Sequence, residues 1–209
     1  MKPYRTIEPG AIATSVYEDR KSRFSGFLSH VESEEAAVEF RHVIREQVPD
    51  ASHYVSAYII HDIGLEHYSD AKEPHGTAGL PVLNVLKGHE LEDVVCVVAR
   101  VFGGTLLGKG GLMRAYTKTA SDAADAAHIV VRTPCRRLVL SIPYPLYEPL
   151  KVQLARWGVK VTGEDFAADV TLDLIVRCED AHRVEEDIVE ASNASAELVW
   201  GDEELCFLE

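Results

Sequence analysis

The chain has 209 residues, with 34 acidic and 21 basic side chains and a formal net charge of −13. This length allows one large domain or two small ones, each with a buried core. The excess of acid argues against wholesale coating of a polyanion, because nucleic-acid affinity depends largely on neutralising phosphates. Residues 134–209 hold 7 basic against 16 acidic side chains, and residues 1–133 hold 14 against 18, so the first part is the better candidate to meet nucleic acid.

The composition argues against a membrane protein, a secreted protein and a zinc protein. No apolar run reaches the roughly 20 residues that cross a bilayer, and the first residues lead into no apolar signal-peptide core. The four cysteines are scattered, and Cys96 lies in an apolar run typical of a buried, reduced thiol. The nine histidines show no His-x-x-x-His spacing, which argues against zinc. We therefore expect a cytoplasmic protein with no cofactor, no metal and no membrane partner.

The first half reads as mixed α/β. Strand-like patterns occupy residues 12–17, 23–30, 53–61 and 94–102, and helical patterns occupy residues 33–48 and 112–128. Ser33 resembles an N-cap, and the first helix is expected to stop before Pro49. Residues 94–102 are almost uniformly apolar, which is typical of a strand covered on both faces. Residues 77–86 fit either a short buried helix or an irregular loop.

The second half has a clearer order of elements. Strands are predicted at residues 137–143, 159–163, 170–177 and 197–207, and helices at 145–157 and 181–191. This βαββαβ order is the ferredoxin-like pattern, a four-stranded antiparallel sheet with two helices on one face. With a boundary near Thr133-Pro134, the sequence predicts an α+β protein with domains at residues 1–133 and 134–209.

Residues 68–81 form the first segment with chemical potential. The segment mixes acids, a histidine, small residues and prolines, which is poor material for a helix or a strand. We expect an ordered loop that presents polar groups. Its candidate ligand-binding residues are Asp70, Glu73, His75, Gly76 and Thr77.

The second segment follows the apolar strand and is rich in glycine. Glycines between a buried strand and a helix permit tight turns and close approach to a ligand, and free N–H groups at a helix start favour an anion. Plain turn geometry is the alternative, since Gly-Lys-Gly-Gly is not a Walker pattern. The candidate anion-binding residues are Gly103, Gly104, Gly110 and Gly111 with the cations Arg100, Lys109 and Arg114.

These two segments carry a resemblance to a known family. Glu73-Pro74-x-Gly76-Thr77-Ala78-Gly79-x-Pro81, followed by Arg100-x-Phe102-Gly103-Gly104-x-x-Leu107-Gly108-x-Gly110-Gly111-Leu112-x-Arg114-Ala115-Tyr116, resembles the signature of the YigZ/Impact family. Lys21-Ser22-Arg23-Phe24 and Ser52-His53 are similar to its earlier motifs, which adds Arg23 and His53 to the candidate site.

The resemblance implies a ribosomal-protein-S5 domain 2-like domain followed by a domain similar to the last domain of elongation factor G. It implies a translation-linked or nucleic-acid-binding role rather than an established activity. We expect no counterpart of the additional domain through which eukaryotic Impact proteins damp a stress kinase, so that role does not transfer. Relatives usually carry Asp-Asp-Gly-Glu-Pro-Ser-Gly where this chain has Asp70-Ala71-Lys72-Glu73-Pro74-His75-Gly76, and Val101 replaces a tyrosine. Any cation held by paired acids would therefore bind less well here.

Three functions compete at this point. The leading hypothesis is a non-catalytic protein that contacts RNA, the ribosome or a translation factor, with Arg23, Arg100, Lys109 and Arg114 on phosphates and Phe102 or Tyr116 stacked on a base. An enzyme or binding protein for a phosphorylated small molecule or nucleotide is the second, although no Ser-His-Asp pattern, P-loop or metal set supports catalysis. A protein-only adaptor is the third, with His53 in the core and Asp70 and Arg100 as an internal ion pair. We predict that the two motif segments line one shared groove.

Overall fold

The computed structural model describes residues 1–208, and two antiparallel sheets organise them. The chain divides into one unit over Tyr4–Val130 and a second formed by residues 1–3 and 131–208. The first unit contains β1 (Tyr4–Ile7), β2 (Ile12–Asp19), β3 (Ser22–His30), α1 (Glu34–Gln47), β4 (His53–Ile60), β5 (Leu65–Ser69), α2 (Gly79–Gly88), β6 (Val94–Val101) and α3 (Gly108–Asp125). The second contains most of β7 (Ile129–Ile142), then α4 (Tyr144–Arg156), β8 (Lys160–Phe166), β9 (Val170–Arg177), a 3₁₀ turn (Cys178–Asp180), α5 (Ala181–Ala191) and β10 (Glu197–Phe207).

The sheet of the first unit has the strand order β2-β3-β6-β4-β5, so β6 is its central strand. Side chains of β6 alternate between two separate cores. Val94, Cys96 and Val98 pack with residues of α2 and α3, and the intervening Val95 and Val97 pack on the other face with residues of α1. The unbroken apolar run from Val94 to Ala99 therefore reflects a strand buried on both faces, as the sequence predicts.

Within the second unit the strands pair in the order β10-β7-β9-β8, and these three pairings are antiparallel. Its core combines alternating residues of β7 and β9 with one face of each helix, including Leu150 and Leu154 of α4 and Val184 and Ile188 of α5. The observed sequence of elements is the βαββαβ order predicted for this half. None of the helices within residues 1–208 is long and apolar enough to span a bilayer.

Some element boundaries differ from the prediction. Residues 79–88 are helical, because Val82, Leu83, Val85 and Leu86 all bury their side chains against the first core, and a proline is tolerated in a first helical turn. Helix α3 begins at Gly108 rather than near residue 112, so the last glycines belong to its first turn.

Strand β7 begins eight residues before the predicted 137 and runs through the predicted boundary at Thr133-Pro134. Proline is tolerated where a strand has few ladder partners, and β9 pairs with β7 only from Cys135 onward. The division between the two units lies slightly earlier, after Val130. The sequence also missed the short strands β1 and β5.

Candidate binding site

Three side chains form a row across the end of the first sheet. Arg100 on β6 lies directly opposite Phe24 on β3 and His53 on β4 in the antiparallel register. Directly opposed residues project from the same face of a sheet, and here that face carries α2 and α3. The polar end of β6 is thus held at the margin of an apolar core.

Arg100 forms a buried ion pair with Glu73. The guanidinium Nη1 lies 2.6 Å from Glu73 Oε1, and the two side chains are only 5% and 4% exposed. The hydroxyl of Tyr116 donates to the same oxygen at 2.8 Å. Burial first, and then the neighbouring Glu73 charge, raise the pKa of Tyr116 above its usual range, so it stays a donor. Glu73 therefore joins the first motif segment to β6 and α3.

Aromatic rings complete the surroundings of Arg100. Its guanidinium carbon lies 5.3 Å from the ring centre of Phe24 and 5.4 Å from that of Phe102. Nη2 donates to the hydroxyl of Ser22 at 3.4 Å, while the buried Nε has no hydrogen-bond partner among residues 1–208. The arginine is a structural centre of the motif region rather than a free cation.

Asp70 acts as the cap of α2. One carboxylate oxygen accepts from the backbone N–H groups of Ala78 and Gly79 at 3.1 and 2.8 Å, and the other accepts from that of Gly76 at 2.8 Å. A carboxylate at a helix N-terminus is favoured by the free amides and by the helix dipole. All three hydrogen bonds lie within the protein, so both carboxylate oxygens of Asp70 stabilise the loop and the start of α2.

A strained turn connects Asp70 to Glu73. Ala71 and Lys72 adopt φ values of 47° and 70°, a left-handed conformation that side chains disfavour. His53 Nδ1 lies 2.9 Å from the carbonyl oxygen of Ala71, and because a carbonyl only accepts, Nδ1 carries the proton. His53 Nε2 is 3.9 Å from Glu73 Oε1. His53, on β4, thus stabilises the turn through its Nδ1 hydrogen bond.

The glycine segment is shaped by contacts with the turn between β2 and β3. A Cβ on Gly103 would lie 2.1 Å from the carbonyl carbon of Lys21, so only glycine fits there, and its N–H donates to the hydroxyl of Ser22 at 3.1 Å. Gly108 opens α3 with φ of +70°, followed in the first turn by Lys109 and Gly110. This first turn has neither a side-chain cap nor an acidic residue.

One pocket brings the two motif segments together. We call it the motif pocket; its volume is about 480 Å³, and its lining includes Glu73 and Pro74 of the first segment and Arg100, Phe102, Leu106 and Lys109 of the second. The side chains of Phe102 and Leu106 remain 44% and 81% exposed. The pocket is mostly apolar; besides Arg100, which is paired with Glu73, its cations are Lys72 and Lys109.

Several predicted roles need correction. Arg100 and Tyr116 are buried, so the former cannot meet a phosphate nor the latter stack on an external base without rearrangement. The internal ion pair of Arg100 is with Glu73, not with Asp70. Arg23 points to the opposite sheet face from its neighbour Phe24, and lines a different pocket with Gln47 and Asp50.

Some of the remaining predicted residues stabilise the loop, and most of the others lie exposed on the surface. The Thr77 hydroxyl donates to the carbonyl of Pro74 at 2.6 Å, and Gly76 has φ of 72°. The His75 side chain is 95% exposed and lies 3.7 Å from the Asp70 carboxylate. Gly104, Gly110 and Arg114 are exposed, whereas Gly111 is buried. Among residues 1–208, no group of three or more His, Cys, Asp or Glu side chains is placed to hold a metal ion.

Sequence reasoning missed residues that the fold adds to this region. Leu106 and Leu107 contribute much of the apolar lining of the motif pocket. Lys72 lines the same pocket, and so does a neighbouring pocket that also receives Arg41 and Arg45 from α1. The spacing of the two arginines, four residues apart on a predicted helix, was the available signal for a shared face.

Comparison with known families gives the class of the protein. The Impact N-terminal domain family matches residues 20–124, and a domain of unknown function (DUF1949) matches residues 140–195. A crystal structure described as that of a hypothetical protein is 31% identical and superposes with a TM-score of 0.62, covering 98% of this chain and 100% of that one. These findings confirm an α+β fold of two domains.

Two bacterial relatives extend the match over most of the chain. The IMPACT family member YvyE of Bacillus subtilis is 34% identical over 190 residues, covering 90% of this chain and 87% of the relative. The IMPACT family member YigZ of Escherichia coli is 35% identical over 167 residues, covering 78% and 82%. The chain belongs to the IMPACT family, as its two motif segments predict.

Proposed function

We propose that this protein is a non-catalytic regulator of translation that binds RNA of the translation machinery through the motif pocket. One observation carries the proposal. The polar residues of the motifs are bonded to one another, with Glu73 joined to Arg100 and Tyr116, while apolar Phe102 and Leu106 stay exposed at the rim. An arrangement of this kind favours binding over acid–base catalysis, because the two acids of the first segment, Asp70 and Glu73, are already bonded within the protein.

The two helix starts of the motif region differ in a way that supports an anionic ligand. Asp70 already occupies the N-terminus of α2. The N-terminus of α3 has no acid and no side-chain cap, and Lys109 and Arg114 lie exposed on its first turns. Free amides, the helix dipole and two cations favour a phosphate, and the exposed ring of Phe102 offers a stacking surface for a base.

Family membership supports the link to translation. The family resemblance implies a pair of domains similar to two adjacent domains of elongation factor G, which work on the ribosome, and the bacterial relatives YvyE and YigZ are IMPACT family members. The acidic second domain then limits indiscriminate binding of RNA, since like charge repels the phosphate backbone. The alternative of an enzyme for a phosphorylated small molecule gains no support from the arrangement of the titratable groups.

A protein ligand is a second candidate, because the motif pocket is mainly apolar. Leu106, Leu107 and Leu112 line it together with Phe102. A pocket of this kind accepts one apolar side chain of a translation factor as an anchor. Such binding would depend weakly on salt, whereas RNA binding depends on it steeply.

Co-sedimentation with ribosomes at low and raised salt tests the proposal. We expect wild-type protein to sediment at low salt, raised salt to release it, and Lys109→Ala/Arg114→Ala to weaken binding by about tenfold, as loss of phosphate contacts predicts. Lys118→Ala is the matched control, since Lys118 lies on α3 but pairs with Asp122. Binding that salt and the double variant leave unchanged would favour the protein ligand, and no sedimentation would count against both.

A further inference from the structure

A second pocket lies beside the motif pocket and shares His53 and Lys72 with it. We call it the basic pocket and define it by Arg41, His42, Arg45, His53 and Lys72. Its volume is about 310 Å³, which is at the lower end of the range for small-ligand sites. Three separate parts of the chain supply these side chains: the C-terminal half of α1, the start of β4 and the strained turn after β5.

The basic pocket is positively charged, in contrast to the acidic protein as a whole. No Asp or Glu lines it, although the protein carries 34 acids against 21 bases. Arg41, Arg45 and Lys72 have no carboxylate within ion-pair distance among residues 1–208, unlike Lys87, Lys118 and Lys151, which pair with Glu66, Asp122 and Glu164. The adjacent carboxylate of Glu73 is already neutralised by Arg100. Three positively charged side chains therefore line one pocket that has no carboxylate in its lining.

The backbone conformation at Lys72 accords with a role in this pocket. Its φ of 70° is a conformation in which glycine is unstrained and lysine is not. Strained backbone of this kind clusters at functional sites, where the structure holds a side chain in place despite its cost. Here the His53 contact to the carbonyl of Ala71 holds the turn, and the result is an ammonium group between the two pockets.

Of the three cations, only Arg45 has a contact that explains it as a structural residue. Arg45 lies in the last turn of α1, where a positive charge is favoured by the helix dipole, and its guanidinium carbon lies 5.6 Å from the ring centre of Tyr54. That explanation does not extend to Arg41 or Lys72. Guanidinium groups are suited to phosphate oxygens because they donate paired hydrogen bonds in one plane.

We propose that the basic pocket is a phosphate-binding site, contacted by Arg41, Arg45 and Lys72. The phosphate belongs either to a small phosphorylated molecule or to a nucleic-acid backbone, because both present the same oxygens. This proposal does not depend on the function proposed above, which concerns Lys109, Arg114 and the motif pocket. A backbone that occupied both pockets would pass over Lys72.

Titration calorimetry on the full chain at constant ionic strength tests the site with three probes: inorganic phosphate, uridine 5′-monophosphate and a dodecamer of uridine. We expect at least one probe to bind wild-type protein and Arg41→Ala/Arg45→Ala to weaken it by about tenfold or more. Binding of phosphate or the nucleotide identifies a small-molecule source. Binding of the dodecamer alone identifies a nucleic-acid backbone.

Lys72→Gly separates a binding role from a structural one. Glycine relieves the left-handed strain, so the melting temperature should not fall, while affinity for the bound probe should drop by about three- to tenfold. Lys21→Gly is the matched control, because Lys21 has φ of 68° but lies outside the basic pocket, and it should leave the affinity unchanged. Absence of binding by all three probes, or binding undiminished in the arginine and lysine variants, would overturn the proposal.

Discussion

At the scale of single residues, Glu73 determines how the motif region is built. It lies in a loop of small and polar residues, yet its carboxylate is buried and meets both Arg100 and Tyr116 at one oxygen. A buried ion pair adds little net stability, but removing one partner leaves an uncompensated buried charge. Glu73 and Arg100 should therefore be intolerant of single substitution for a structural reason.

Glu73→Leu should lower the free energy of unfolding by about 3–5 kcal/mol, because the guanidinium of Arg100 stays buried without its partner. Urea unfolding followed by far-UV circular dichroism measures the change. The double variant Glu73→Leu/Arg100→Met removes both charges and should be less destabilised than the single one, giving a favourable coupling between the two positions. Additive effects of the two substitutions would contradict this account of the pair.

At the scale of elements, the two helices of the motif region begin in opposite ways. The start of α2 is saturated, because Asp70 accepts three backbone N–H groups in and before its first turn. The start of α3 is built from glycine and lysine and has no acid. The first arrangement stabilises the loop, and the second leaves amides available to a ligand.

Asp70→Ala should destabilise the protein by about 1–3 kcal/mol, since it leaves several amides without their charged acceptor. Ser33→Ala provides the comparison, because Ser33 caps α1 through one bond to the N–H of Ala36, and its loss should cost typically about 1 kcal/mol. Chemical denaturation of both variants measures the difference. An Asp70→Ala variant no less stable than Ser33→Ala would show that the cap is not a main support of the loop.

At the scale of the whole molecule, the hydrophobic side chains are divided among separate cores. Residues on the two faces of the first sheet form two of them, and the second unit has its own. Both tryptophans, Trp157 and Trp200, pack against the core of the second unit. Tryptophan fluorescence is therefore a probe of that unit, whereas circular dichroism reports on the whole chain.

Leu154→Ala should shift the fluorescence unfolding transition to lower denaturant, with a loss of about 2–5 kcal/mol, because Leu154 is completely buried. Leu86→Ala, at an equally buried position of the first unit, should shift the transition seen by circular dichroism and leave the fluorescence transition in place. Parallel denaturation curves from the two probes check this. Equal shifts of both transitions by either variant would indicate one cooperative unit instead of two.

Much of the fold is predictable from local pattern. Period-two alternation in residues 170–177 and the apolar run of β6 each correspond to a strand in the structure, because burial on one or both faces leaves a direct mark on sequence. The errors fall at element ends. Gly108 opens α3 although glycine is a poor helix former, and β7 continues through Pro134, because tertiary packing outweighs intrinsic propensity.

The sequence alone determined the α+β class, the order of most elements, the family and the position of its two motif segments. Only the tertiary structure decided which of their polar residues face one another: Glu73 rather than Asp70 pairs with Arg100, Arg23 points away, and Arg41 and Arg45 join Lys72. The physical reason is that periodicity records burial along the chain, whereas an ion pair or a pocket depends on strand register and loop conformation between residues distant in sequence.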